Sequence, residues 1–137
     1  MMSEIEKFEK KIKDYKDELF GVKLLYEGTK ILWADSYLEK INFEQHYENI
    51  MKRGENIVNK AKKILNEIKA SNDINKIKEV TFPLLENESM PLVNPDGIPR
   101  LKLLLETYNE LFPERDREIP LTEEEYKLIM NKVINKF

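Results

Sequence analysis

The chain has 137 residues, 41% of them hydrophobic and 36% charged, with a formal net charge of −3 and no cysteine. That length suits one domain, residues 1–137, built around one core. The near-neutral balance gives no bulk attraction to nucleic acid or anionic lipid, and the lack of cysteine excludes a disulfide framework, a thiolate metal site and a cysteine nucleophile.

So high a charge content permits a folded chain only if the apolar residues gather on faces, and here they recur at helical spacing. Four glycines and six prolines are too little punctuation for an all-β domain. The N-terminal stretch is charged from Glu4 onward and carries no apolar h-region, and no apolar run approaches the about 18 residues of a membrane span. The expected protein is soluble and cytoplasmic, with no membrane partner.

Ser3 followed by Glu6 reads as a capping box, each side chain answering a backbone amide that the first turn leaves unpaired. Behind it Ile5, Phe8, Ile12, Tyr15, Leu19 and Val22 fall on one helical stripe, with Lys7, Lys10, Lys11, Asp14, Asp17 and Glu18 outside. Lys13 and Asp17 are neighbours one turn apart. From Leu24 to Leu38 the apolar residues thicken, as in a helix central to its bundle. Gly21 and Gly28 are its weak points, and we place the break between the two segments at Gly21. Trp33 and Tyr37 belong to the core.

Asn42 with Gln45 is a second capping-box candidate. Tyr47, Ile50, Met51, Ile57, Val58, Ala61, Ile64, Leu65 and Ile68 then keep helical period to Lys69. Gly54 lies on the same stripe, where a missing side chain lets a neighbouring helix approach. Asp73 is placed to cap a short helix through Ile74, Ile77 and Val80, stopped by Pro83. Residues 86–99 form a long proline-containing loop, with Asn94-Pro95-Asp96-Gly97 as its turn. Leu101, Leu104, Leu105, Tyr108, Leu111 and Phe112 mark a helix closed by Pro113. Thr122 with Glu125 is a third capping box, opening a last helix whose inner side is Tyr126, Ile129, Met130, Val133, Ile134 and Phe137. The expected fold is all-α: an antiparallel bundle of five or six helices, its core in residues 4–40, 43–69, 100–112 and 123–136.

Chemistry-bearing patterns are sparse. His46 stands between Glu44 and Glu48, but zinc needs at least three convergent protein ligands, and neither His-Glu-x-x-His nor Glu-x-x-His is present. Carboxylate pairs one turn apart, such as Glu6–Glu9 and Asp14–Glu18, suit a solvated face in so acidic a chain, and Glu123-Glu124-Glu125 suits the positive end of a helix dipole. No Gly-rich phosphate cradle or nucleophile elbow occurs. The expected protein is not an enzyme and needs no cofactor or metal.

Two surfaces stand out. Residues 51–80 carry eight basic and four acidic side chains, whereas residues 86–125 carry four and eleven. Within the basic stretch Lys52, Arg53, Lys60 and Lys63 form a candidate phosphate-facing ridge, weakened by its reliance on lysine and by the lack of interleaved aromatics. Met90, Leu92, Val93 and Ile98 are apolar residues in what should be a surface loop, and they serve either the core or a partner. By elimination the leading expectation is a small non-catalytic protein-binding module: an adaptor, inhibitor or accessory subunit. The alternatives are a nucleic-acid-associated subunit using the basic helix and, behind it, a carboxylate-metal hydrolase. A second copy of the chain is a further candidate partner.

Overall fold

The computed structural model describes residues 3–32, 43–83, 85 and 100–135. Among the described residues the long α-helices are α1 (Glu4–Leu32), α2 (Phe43–Ser71), α3 (Arg100–Leu111) and α4 (Glu123–Ile134). A 3₁₀ helix, Ile74–Glu79, stands between α2 and α3, and no strand occurs among the described residues. The all-α expectation holds.

The helices begin and end where local chemistry says they should. Ser3 Oγ accepts from the Glu6 amide at 3.1 Å, which supplies one half of the expected capping box. Thr122 and Glu125 supply both halves of theirs, at 3.2 and 2.9 Å. Asn72 terminates α2 at φ 59°, a left-handed conformation that asparagine tolerates, and its amide donates to the Ile68 carbonyl at 2.7 Å. Asp73 caps the 3₁₀ helix by accepting from the Asn75 amide. That helix stops at Glu79, four residues before Pro83, with Val80 already extended. Asn42 and the loop 86–99 lie outside the described residues, as do Trp33 and Tyr37.

α1 is the axis of the fold, since α2, α3 and α4 all pack against it. Three contacts show that α1 and α2 run antiparallel: Lys69 pairs with Glu9, Gly54 meets Leu19, and Tyr47 stacks on Tyr26. The core divides into two clusters. One joins Phe8 and Ile12 of α1 to Ala61, Ile64 and Ile68 of α2 and to Val80. The other gathers Tyr15 to Tyr26 of α1 with Leu101, Leu104, Tyr108, Ile129 and Met130. Phe82 bridges them, its ring 6.3 Å from Phe8 and 5.2 Å from Tyr15. Thr107, the one buried polar residue among those whose side chains are described, satisfies its hydroxyl by donating to the Leu103 carbonyl at 2.8 Å.

One expectation is corrected. α1 runs unbroken through Gly21 and Gly28, so neither glycine marks a break. Gly21 is instead a contact point: a Cβ there would sit 3.1 Å from the Leu101 carbonyl oxygen and 3.4 Å from its Cβ. α3 approaches α1 so closely that even a methyl group would need the Leu101 backbone to give by a few tenths of an ångström, and this close packing outweighs the propensity cost of about 1 kcal/mol. Gly54 fulfils its expected role, because a side chain there would collide with the methyl groups of Leu19. Gly21→Val is expected to lower the unfolding free energy by about 1–3 kcal/mol through overpacking, read by denaturant titration. A neutral result would mean that α3 can shift without cost.

Candidate functional site

The sequence-predicted partner residues Met90, Leu92, Val93 and Ile98 lie outside the described residues. Those of the basic ridge do not. Lys52, Arg53, Lys60 and Lys63 are all exposed on α2. At about 100° per residue they fall in two rows, Lys52 with Lys63 and Arg53 with Lys60, roughly a quarter-turn apart. Lys52, Lys60 and Lys63 have no ion-pair partner among the described residues, whereas Arg53 is engaged. Glu67, on the same side of the helix, is tied to Lys76 at 3.3 Å. No group of three or more His, Asp or Glu side chains close enough to hold a metal ion occurs among the described residues, Glu44, His46 and Glu48 included. No described helix is long and apolar enough to cross a membrane.

The structure also brings together residues that the sequence assigns to no common site. A groove of about 590 Å³ runs along α1 from Glu9 to Lys23, walled by α2 and by the connector between α3 and α4. Its floor is apolar: buried Ile12, with half-buried Phe20 and Leu65. Lys13, Lys16 and Lys23 of α1 and Lys62 of α2 form its rim. None of these four lysines has an ion-pair partner among the described residues. Of the three acidic residues along the groove, Glu9 is engaged by Lys69 at 3.4 Å and Asp17 by Arg117. Lys13 therefore does not capture Asp17 one turn on, although the sequence places them side by side.

The connector 112–122 is irregular but anchored. Arg117 donates from Nη1 to Asp17 Oδ1 at 2.5 Å and from Nη2 to Asn109 Oδ1 at 3.5 Å, and its guanidinium lies 4.8 Å from the centroid of the Phe20 ring. Phe20 in turn meets Tyr108 edge-on at 4.9 Å. Arg115 holds the other end, donating to Glu125 Oε2 at 2.6 Å and to the Pro120 carbonyl at 3.1 Å. The Glu125 carboxyl is held below the usual carboxylate range by the backbone amide of Thr122, and then by that residue's hydroxyl and by Arg115. Burial pushes the Tyr108 hydroxyl up against the opposing pull of Arg115 and Arg117. Two turns, Arg115 amide to Phe112 carbonyl and Ile119 amide to Asp116 carbonyl, stiffen the segment further. One wall of the groove is thus fixed by charge-assisted bonds rather than by secondary structure.

A second cavity, about 420 Å³, lies on the other side of α1 between Lys11, Asp14 and Glu18 and the segment Ile77–Pro83. Its rim mixes both signs of charge. Comparison of the chain with protein-family models, with curated proteins and with solved structures returns no match. The signal that could have exposed the groove is Phe20. It stands off the main apolar stripe, three or four residues from Lys16 and Lys23, where a solvated face would carry another polar side chain.

Proposed function

We propose that the chain is a small, non-catalytic helical module that binds another protein, as an adaptor, inhibitor or accessory subunit. The observation that supports this best is the groove along α1, an apolar floor rimmed by lysines with no ion-pair partner among the described residues and backed by a pinned connector. Apolar surface left accessible beside a rigid wall is a recognition feature, because a ligand docks there with little ordering cost. The shifted titrations also fit packing: burial accounts for the raised tyrosines and helix capping for Glu125. Affinity capture with the intact chain from its native host, followed by mass spectrometry, is expected to return a recurring protein in near-stoichiometric yield. Recovery of no such protein overturns the reading.

A second reading, association with nucleic acid, draws on the exposed Lys52, Lys60 and Lys63, which have no ion-pair partner among the described residues. Two short rows of cations with Glu67 between them offer few simultaneous phosphate contacts. We expect no measurable binding to a generic duplex at physiological salt. Tight binding that falls steeply with salt, and falls further in Lys60→Glu with Lys63→Glu, would promote this reading over the first.

A further inference from the structure

We infer that the α1 groove receives an acidic amphipathic helix from a partner protein; this rests on the protein-binding reading above and names the chemistry of the ligand. The argument begins with charge. Lys13, Lys16, Lys23 and Lys62 face the groove without ion-pair partners among the described residues, against Glu118 as the one lining carboxylate with no ion pair there. Four ammonium groups held within one groove repel each other, and an anionic ligand relieves that repulsion while gaining steering at low salt.

Shape and floor decide what kind of anion fits. Glu9 to Lys23 spans about 21 Å at helical rise, so the trough follows about four turns of α1, walled by α2 and by the connector. Phe20 and Leu65 are only half covered, and Ile119, 54% exposed, follows Glu118 at the connector end. Apolar side chains spaced at i, i+3 or i+4 and i+7 on a ligand helix can settle on that floor while its acidic flanks reach the lysine rims. Single-stranded nucleic acid fits less well. It needs an open aromatic face on which bases stack, and the Arg117 guanidinium already lies over one face of Phe20, leaving apolar ring surface rather than a stacking platform. Lysine also lacks the planar fork that favours bidentate phosphate contacts.

The test uses the full chain and a synthetic, fluorescently labelled peptide of about 14 residues, the length that matches the groove. It carries leucine on one helical stripe and glutamate elsewhere. The controls are a scrambled peptide that breaks the stripe, polyglutamate of equal length, and a single-stranded oligonucleotide. The striped peptide is expected to bind at least about tenfold more tightly than either control peptide. The triple variant Lys13→Glu, Lys16→Glu, Lys62→Glu is expected to weaken it by at least about tenfold. These lysines are exposed or at a rim, so the melting temperature should stay nearly unchanged.

Lysine acetylation gives an independent readout on the unaltered protein. Bound peptide should protect Lys13, Lys16, Lys23 and Lys62 while leaving Lys52, Lys60 and Lys63 reactive. Equal affinity for polyglutamate, preference for the oligonucleotide, protection of the wrong lysines or no binding at all each overturns the inference. So does concentration-dependent self-association that the triple variant abolishes, which would make a second copy the occupant. If host capture still returns a stoichiometric protein after such a failure, the module reading stands and only this ligand falls.

Discussion

Truncating Phe8 to alanine is expected to lower the unfolding free energy by about 3–5 kcal/mol, the largest effect of any single substitution considered for this chain. Phe8 is 2% exposed and holds together the cluster that joins the start of α1 to the end of α2. Its neighbours Ile12, Ala61, Ile64 and Ile68 come from two helices that cannot close over the gap without moving together. The ring also props Phe82, which links this cluster to the larger one around Leu104 and Tyr108. Loss of the ring therefore costs the transfer free energy of the aromatic group and leaves a cavity at the seam of the core. A small domain has only about 5–15 kcal/mol in hand, so the variant should melt far below the native chain or fail to fold. The more conservative Phe8→Leu separates the cases: it should retain the fold and lose less than half as much. Equal, small losses for both would show that the first cluster contributes little and that α1 is held through Tyr15 to Tyr26.

The helical stripes and the caps at Ser3, Asp73 and Thr122 are legible in the sequence because each is written locally. A 3.6-residue period needs only neighbouring positions, and Thr122 with Glu125 is complete within four residues. Gly21 was misread for the opposite reason. Its role depends on Leu101, eighty residues away, and nothing near Gly21 announces that a helix will lie against it. The groove was hidden in the same way. Lys13, Lys16 and Lys23 look like an ordinary solvated face until Asp17 is removed from their company, and the residue that removes it is Arg117 on a distant connector. Net charge over windows of the sequence points to residues 51–80, but Lys62 is the one basic residue of that stretch that lines the groove; the other three rim lysines come from α1. The loop residues Met90, Leu92, Val93 and Ile98 remain candidates on sequence grounds alone, and Leu92→Ser with Val93→Ser tests them beside the groove lysines in the same capture experiment.

Raising the pH through the range between about 10 and about 12 is expected to cost the protein roughly 2–4 kcal/mol of stability, and two tyrosines are the reason. Burial pushes the Tyr47 hydroxyl up to about 12, with the negative charge of Glu27 adding to the effect, and it pushes Tyr126 to about 12 with Glu27 again behind it. An unfolded chain ionises both near 10. Between those values the folded protein holds protons that the unfolded chain has released, so stability falls as pH rises. The contribution is fully present below about 10 and gone once the pH passes about 12. Unscreened, the two hydroxyls together would contribute about 5 kcal/mol, but Tyr47 is half-buried and solvent screens part of its share. Tyr47 also stacks face to face on Tyr26 at 3.9 Å and 5°, a contact that phenylalanine preserves. The double variant Tyr47→Phe, Tyr126→Phe keeps both rings and removes both titrations. Denaturant midpoints followed from neutral to alkaline pH should therefore fall more gently in the variant than in the native chain. The rise in tyrosinate absorbance near about pH 12 should be smaller in the folded variant than in the folded native protein. Parallel slopes for the two proteins would mean that these hydroxyls reach water in the folded state, and that the alkaline loss arises from lysine instead.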